Sequence, residues 1–180
     1  MDNENTYLFE SERLGFRNWK DSDLPLMSAV SADPEVMEFF PSITTTEQSK
    51  EFISRMNTMF DERGYCYFAV EEISSSRFIG FIGLCYQNYE SEITPCVDIG
   101  WRLDKRFWQR GYATEGAQAC LRYGFEVLKL ESIKSIASLI NIKSINVMKK
   151  IGMKKITEFN HPNLIEHEKL KRCACYEIHR

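Results

Sequence analysis

From Val97 to Gly116 the sequence sets a strand-like run, Val97-Asp98-Ile99-Gly100-Trp101-Arg102-Leu103, ahead of a glycine turn that opens a helix, Gln109-Arg110-Gly111-Tyr112-Ala113-Thr114-Glu115-Gly116. That combination suits a phosphate. The first turn of a helix carries unbonded N–H groups and a partial positive charge, and small residues ahead of it let the main chain approach an anion. Arg102, Lys105, Arg106 and Arg110 flank the turn against the single acid Asp104. The spacing predicts a pyrophosphate seat, with the rest of the chain bringing an amine to whatever the phosphates hold. No Gly-Lys-Ser/Thr follows the turn, which argues against a nucleotide phosphotransferase. Glu115 falls in the first helical turn, where a carboxylate is stabilising by itself; a substrate contact is its other reading. Arg106 and Arg110 suit either phosphate or solvated surface.

A chain of 180 residues with 43% hydrophobic and 13% aromatic content can bury a sizeable core, so residues 1–180 are expected to form one globular domain. The net charge of −3 disfavours a nucleic-acid partner, and a basic patch inside an acidic chain suggests a small polyanion instead. Met1–Glu10 is acidic and polar, unlike a signal peptide. The longest apolar run, Phe78 to Tyr86, is interrupted by Gly80 and Gly83 and is too short for a bilayer, so no membrane partner is expected. Six scattered cysteines read as reduced thiols in a cytoplasm. His161, His167, Cys173 and Cys175 match no zinc-ligand spacing, so no metal is expected.

The positioning elements follow from periodicity. Arg13 to Arg17 alternates as a strand, weakened by Gly15. Ser22 could cap a helix to about Val30, and Asp33-Pro34-Glu35 restarts a helical turn. Thr44 with Glu47 matches a capping box, behind which Phe52, Ile53, Met56, Met59 and Phe60 sit at helical spacing until Gly64. Tyr65–Glu72 and Phe78–Cys85 read as a hairpin across Ser74-Ser75-Ser76. Ala113, Ala117, Leu121, Phe125 and Leu128 stripe the helix after the glycine turn. Lys134–Leu139 is a strand, Ile145, Met148 and Ile151 mark a second amphipathic helix closed by Gly152, and Thr157–Phe159 and Cys173–Ile178 are final strands. The fold class is α/β (α+β): one mixed, mainly antiparallel twisted sheet of about six or seven strands with helices on both faces.

Four stretches carry a resemblance to a known family: Glu12-Arg13-Leu14 through Trp19; Asp98-Ile99-Gly100-Trp101; Trp108-Gln109-Arg110-Gly111-Tyr112-Ala113-Thr114-Glu115; and Asn141 with Ser144 ending in Lys150-Ile151-Gly152-Met153. In this order and spacing the chain resembles the GNAT superfamily of acetyl-CoA-dependent N-acetyltransferases, and within it the RimJ/RimL-like branch. The resemblance implies acetyl-CoA as co-substrate, with Gln109, Arg110, Gly111, Tyr112, Ala113 and Thr114 cradling its pyrophosphate. It implies that the strand through Trp101 and Leu103 hydrogen-bonds the pantetheine arm, and that Asn141 bonds the pantetheine or its thioester end, with Ser144 one helical turn on. Two positions depart from the wider pattern. Trp108 stands three residues before Gly111 where Gln or Arg is usual, which points to the branch. Met148 stands where many relatives carry a tyrosine acid, and a thioether cannot donate a proton.

Within that resemblance the chemistry is acetyl transfer to a primary amine, on a protein N-terminus or a small molecule, by direct attack in a ternary complex. Asp98, thirteen residues before Gly111, is the candidate base; its structural reading is a strand carboxylate paired with Arg102 on the same face. Ser144 or water would protonate the leaving thiolate. Lys143, Lys149, Lys150, Lys154 and Lys155 have no acid among them and form either a wet helix face or a contact for the 3′-phosphate. Phe39, Phe40, Trp19 and Tyr86 are candidates for an acceptor pocket or for core, and His161 for a substrate-side or turn residue. Acceptor choice would lie in the loops at roughly Val36–Glu47 and Gln87–Pro95. The alternative function is a non-catalytic acyl-CoA-binding regulator, and both monomer and homodimer remain open.

Overall fold

The structure, a computed structural model, describes residues 7–180, so the expectation for Met1–Glu10 falls mostly outside the described residues. No helix among these residues is long and apolar enough to cross a membrane. The chain opens with β1 (Phe9–Glu10) and β2 (Leu14–Arg17), a tight 3-10 turn at Asp21–Asp23, and α1 (Leu24–Ser31) with Pro25 tolerated in its first turn. Then come α2 (Thr46–Arg63), β3 (Tyr67–Glu72), β4 (Arg77–Gln87), β5 (Cys96–Leu103) and α3 (Tyr112–Arg122). The chain closes with β6 (Ser132–Ser138), α4 (Ile142–Lys150), β7 (Lys154–Asn160) and β8 (Arg172–His179).

Among the described residues, eight strands join one sheet in the order β1-β2-β3-β4-β5-β6-β8-β7. Every pairing is antiparallel except β5 with β6. The sheet is thus the mixed, mainly antiparallel one expected, with one strand more than the upper count. The addition is β1, two residues pairing Phe9 with Phe16 and Glu10 with Gly15, too short to announce itself by alternation. Phe81 and Ile82 are neighbours in β4 and so point to opposite faces. The Phe52 ring of α2 lies 5.2 Å from that of Phe81, while Gly116 of α3 sits against Ile82, so helices cover both faces.

Three helix limits differ from the sequence reading. The first is α1, which starts after Asp23 rather than at a Ser22 cap, because Ser22 lies inside the 3-10 turn Asp21–Asp23. The box capping α2 is Thr45 with Gln48, one residue later than Thr44 with Glu47. Both pairs fit the pattern, but the Thr44 amide is taken by the Ser31 carbonyl at 3.0 Å, which ties it to the end of α1. The helix after the glycine turn leaves α-geometry at Arg122, and residues Tyr123–Val127 continue as a π-turn.

The cysteines are free; all but Cys96 are buried. Cys173 and Cys175 share one face of β8 and pack with Ile93 and Phe159 in a small second core, which is what their alternate spacing does here. His161 caps the turn Pro162–Leu164 through Nδ1, at 3.2 Å from the Asn163 amide.

The deepest polar cluster is Arg17, which donates to both Asp23 oxygens at 2.7 and 2.8 Å and to Glu71 Oε1 at 2.6 Å. It joins β2 and β3 to the turn before α1. Asp23 is 1% exposed, so Arg17→Ala would leave its carboxylate buried without a counter-charge. A loss of about 3–5 kcal/mol is expected, read as a lowered urea midpoint at unchanged m-value.

Candidate active site

The site is organised by a parting in the sheet. The Asp104 amide donates to the Ile79 carbonyl at 2.9 Å, and in an antiparallel ladder such bonds recur every second residue. Arg102, Gly100 and Asp98 therefore bond toward β4, while Ile99, Trp101 and Leu103 present their main-chain groups to the other side. There β6 pairs with β5 only at Asp98–Lys134 and then diverges. Ser135 Oγ donates to the Ile99 carbonyl at 2.9 Å and Trp108 Nε1 to the Leu103 carbonyl at 2.9 Å. The amides of Trp101 and Leu103 are left facing the gap.

The glycine turn lies at the end of this gap. Gln109 (φ 60°) and Gly111 (φ 81°) are both left-handed. A Cβ at Gly111 would meet nothing nearer than Arg13 Nη2 at 3.5 Å, so the position needs glycine for its backbone angle rather than for space. The first main-chain bond of the following helix runs from Glu115 N to Gly111 O at 3.0 Å. Among the described residues no acceptor meets the amides of residues 109–114. They form a row of free donors at a helix start.

Two anchors hold that row. The Tyr112 hydroxyl hydrogen-bonds Glu72, and Glu115 accepts from Ser11 Oγ at 2.6 Å, the Arg13 amide at 2.8 Å and Arg13 Nε at 2.7 Å. Arg13 also donates to the Arg110 carbonyl at 3.1 Å and lies over the Tyr112 ring at 4.5 Å. Glu115 is thereby committed to the β1–β2 loop, which settles its two readings in favour of structure. Its burial pushes the carboxyl pKa up, but the Ser11 and Arg13 donors outweigh this and hold it below the ordinary value.

Trp101, Leu103, Gln109, Gly111, Tyr112, Ala113, Thr114, Asn141 and Ser144 all line one cavity of about 360 Å³. Arg110 is exposed beside it, its guanidinium 5.5 Å from the Phe107 ring. Asn141 caps α4, with Oδ1 accepting from the Ser144 amide at 3.1 Å, so its NH₂ group is the part left to meet a ligand. Met148 is 1% exposed, in the core below the cavity.

The cationic surroundings are thinner than the sequence implies. Lys105 is bound by Asp33 at 2.9 Å and Glu35 at 2.5 Å, acids brought in by the loop after α1, and Arg106 by Asp104 at 2.6 Å. Lys155 is paired with Glu158. What remains at the cavity is Lys143, 4.9 Å from the Trp108 ring centre, together with Lys150, neighbouring Arg110 and, on β5, Arg102. Phe39 and Phe40 line the cavity, whereas Trp19 belongs to the core with Nε1 donating to the Tyr67 carbonyl, and Tyr86 stacks under Arg63.

Asp98 is not part of the cavity wall. It is 9% exposed and lies four residues before Arg102 on the same face, but it is not paired with it. The Tyr67 phenol crosses over Gly100 between them and donates to Asp98 Oδ1 at 2.7 Å. Burial raises the Asp98 carboxyl to about 6 against the lowering by that hydrogen bond. Tyr67, stacked on Phe81 at 5.0 Å, is the site residue that periodicity missed, since its meeting with Asp98 depends on the β3–β4–β5 register.

An acetyltransferase (GNAT) domain model matches residues 13–154 of the chain. The chain is 32% identical to the uncharacterized N-acetyltransferase YnaD of Bacillus subtilis (strain 168) over 146 residues, 81% of each protein. An acetyltransferase (GNAT family) structure from Bacillus anthracis superposes with TM-score 0.77 at 29% identity, covering 94% of this chain and 96% of that one. The ribosomal L7/L12 alpha-N-protein acetyltransferase RimL, solved in complex with coenzyme A, has the same fold at TM-score 0.74 and 15% identity, covering 94% and 95%.

Glu115→Gln is expected to cost about 1–2 kcal/mol at neutral pH through its hydrogen bonds to Ser11 and Arg13. Because the folded carboxyl pKa is depressed, that contribution is present above the ordinary carboxylate pKa of about 4.3 and is lost as pH falls through the folded value. Urea melts of both proteins should converge on acidification; a constant gap would refute the ion pair.

Proposed function

We propose, given that the chain belongs to the acetyltransferase (GNAT) family, that it transfers an acetyl group from acetyl-CoA to a primary amine, on a small molecule or a protein N-terminus, and that residues 1–180 form one acetyltransferase domain. The carrying observation is that the free amide row at 109–114 and the unpaired edge of β5 open on the same cavity. A diphosphate is rich in acceptors and suits the row, while Lys143, Lys150 and Arg110 supply positive charge beside it. Trp101 and Leu103 would bond the pantetheine amides as an added strand does. The free NH₂ of Asn141 would donate to the same arm. The coenzyme complex of RimL, a protein of this fold, supports the choice of donor, and Trp108, whose indole closes the Leu103 carbonyl, supports the RimJ/RimL-like branch. The buried, free thiols support a cytoplasmic setting.

Bound acetyl-CoA supplies an activated acyl group on a thiol whose pKa, roughly 8.5, lets it depart with little acid assistance. The chain's own task is to hold the carbonyl on main-chain amides of β5 and to relieve the amine of its proton. Asp98 is the assigned base. With its carboxyl raised to about 6, it is ionised at neutral pH yet closer in basicity to an α-amine of about 7.7–8.0 than an exposed aspartate is. Set behind Gly100, it receives that proton by way of water, with the Tyr67 hydroxyl holding the carboxylate in orientation. Ser144 stands in the cavity wall as the hydroxyl nearest in sequence to the slot that Met148 fills.

Calorimetry should detect coenzyme A binding, and Gly111→Val should weaken it at least tenfold by disfavouring the left-handed turn. Binding without thiol release on any amine would identify the regulator instead. The active form of Asp98 is deprotonated, so kcat/KM should fall as pH drops through about 6. Asp98→Asn should lower the rate about 100-fold and erase that acid limb; an unchanged profile removes Asp98 as base.

A further inference from the structure

Two arginines are drawn away from solvent, and the fold treats them differently. Arg17, 5% exposed, is enclosed by the carboxylates of Asp23 and Glu71. Arg102 is partly buried on β5, and no carboxylate pairs with it among the described residues. Its Nη1 donates to Ser31 Oγ at 3.2 Å, while its Nε is buried with no hydrogen-bond partner. Phe40 and Phe81 flank the guanidinium at 4.2 and 5.4 Å, which fixes its plane. Burial lowers its pKa to about 10, so it remains charged at neutral pH. An enclosed cation with an idle donor is costly until an anion completes it.

Arg102 also stands where two cavities meet. It lines the one that holds the amide row, and a second of about 650 Å³ between α1 and α2. In the second cavity the hydroxyls of Thr44 and Ser49 are likewise buried without partners. A guanidinium only donates and a hydroxyl can donate, so this wall offers a surplus of donors. Among the described residues, Glu51 is the single acid in its lining, exposed and one helical turn from Arg55.

We propose that the acceptor is an amine bearing a carboxylate, an α-amino acid or a close analogue, whose carboxylate is held by Arg102 between the two cavities with its amine toward the open edge of β5. This rests on the acetyltransferase reading above. A polyamine brings no anion for Arg102 and meets its like charge. The planar fork of the guanidinium fits a carboxylate with two parallel hydrogen bonds, which a carboxamide cannot reproduce in charge.

The test is thiol release from saturating acetyl-CoA with the twenty common L-amino acids, their carboxamides, spermidine and a tetrapeptide, alongside calorimetry of coenzyme A. At least one free amino acid should exceed its carboxamide, and spermidine, in kcat/KM by about 100-fold. In Arg102→Gln that ratio should collapse to within a few-fold while coenzyme A affinity stays within about twofold of the parent; Arg102→Lys should keep part of the preference. The matched pairs on the unaltered chain carry the comparison even where a variant folds poorly. Equal turnover of acids and carboxamides, or preference for spermidine or the peptide, overturns the proposal and leaves the acetyltransferase reading standing. Turnover of none of them by a chain that binds coenzyme A overturns it too, and favours the non-catalytic regulator over the acetyltransferase reading. Loss of coenzyme A affinity in Arg102→Gln would overturn it by assigning the arginine to the donor's phosphates. Failure of the unaltered chain to bind coenzyme A would instead sink the reading on which it rests.

Discussion

A strand in the middle of an eight-stranded sheet that, beyond Asp98, is hydrogen-bonded on one side only is the constraint on which this structure turns. Unpaired peptide groups inside a protein are costly, and native chains satisfy nearly all of them. Here β5 keeps β4 along its whole length and loses β6 after Asp98. Two side chains occupy part of the exposed edge, Ser135 on the Ile99 carbonyl and Trp108 on the Leu103 carbonyl. The rest faces a cavity in which a ligand with alternating donors and acceptors can complete the ladder. The vacancy in the sheet and the free amides of the following turn are thus two parts of one demand for hydrogen-bond partners.

Charge is distributed to keep that demand specific. The acids near the seat are spent locally: Asp33 and Glu35 on Lys105, Asp104 on Arg106, Glu115 on Arg13. Each exposed pair contributes little stability by itself, but together they leave few free carboxylates to repel an incoming polyanion. They also leave fewer free cations than the sequence suggests, so main-chain dipoles would carry much of the attraction on a bound diphosphate. Arg17 and Arg102 show the same economy from inside: one is closed by two acids and serves architecture, the other is left open where two cavities join.

Much of this was legible before any coordinates. The glycine turn at Gly111, the helix behind it, the amphipathic helix closed by Gly152 and the hairpin of β3 and β4 follow from local pattern, because turns, helix stops and alternation are short-range properties of the chain. What could not be read depends on register or on which distant side chain arrives first. Asp98 and Arg102 share a face as alternation requires, yet Tyr67 comes between them because Gly100 has no side chain to keep the ring away. Thr44 and Thr45 both satisfy the capping pattern, and a bond from Thr44 to Ser31 decides between them. The apparent basic cluster around the turn dissolves for the same reason, since Asp33 and Glu35 lie about 70 residues earlier in sequence than the lysine they hold.

The placement of the cysteines has a consequence for reactivity. Thiols attack disulfides and alkylating agents as thiolates, and burial pushes Cys85 and Cys175 to about 12 and Cys173 and Cys96 to about 11. Cys96 alone has appreciable access to solvent. While folded, the chain should therefore be nearly inert toward electrophiles and oxidants that consume exposed sulfhydryls. A small thiol released into the cleft would be the readily ionised sulfur in its vicinity, free to diffuse away without exchanging onto the protein.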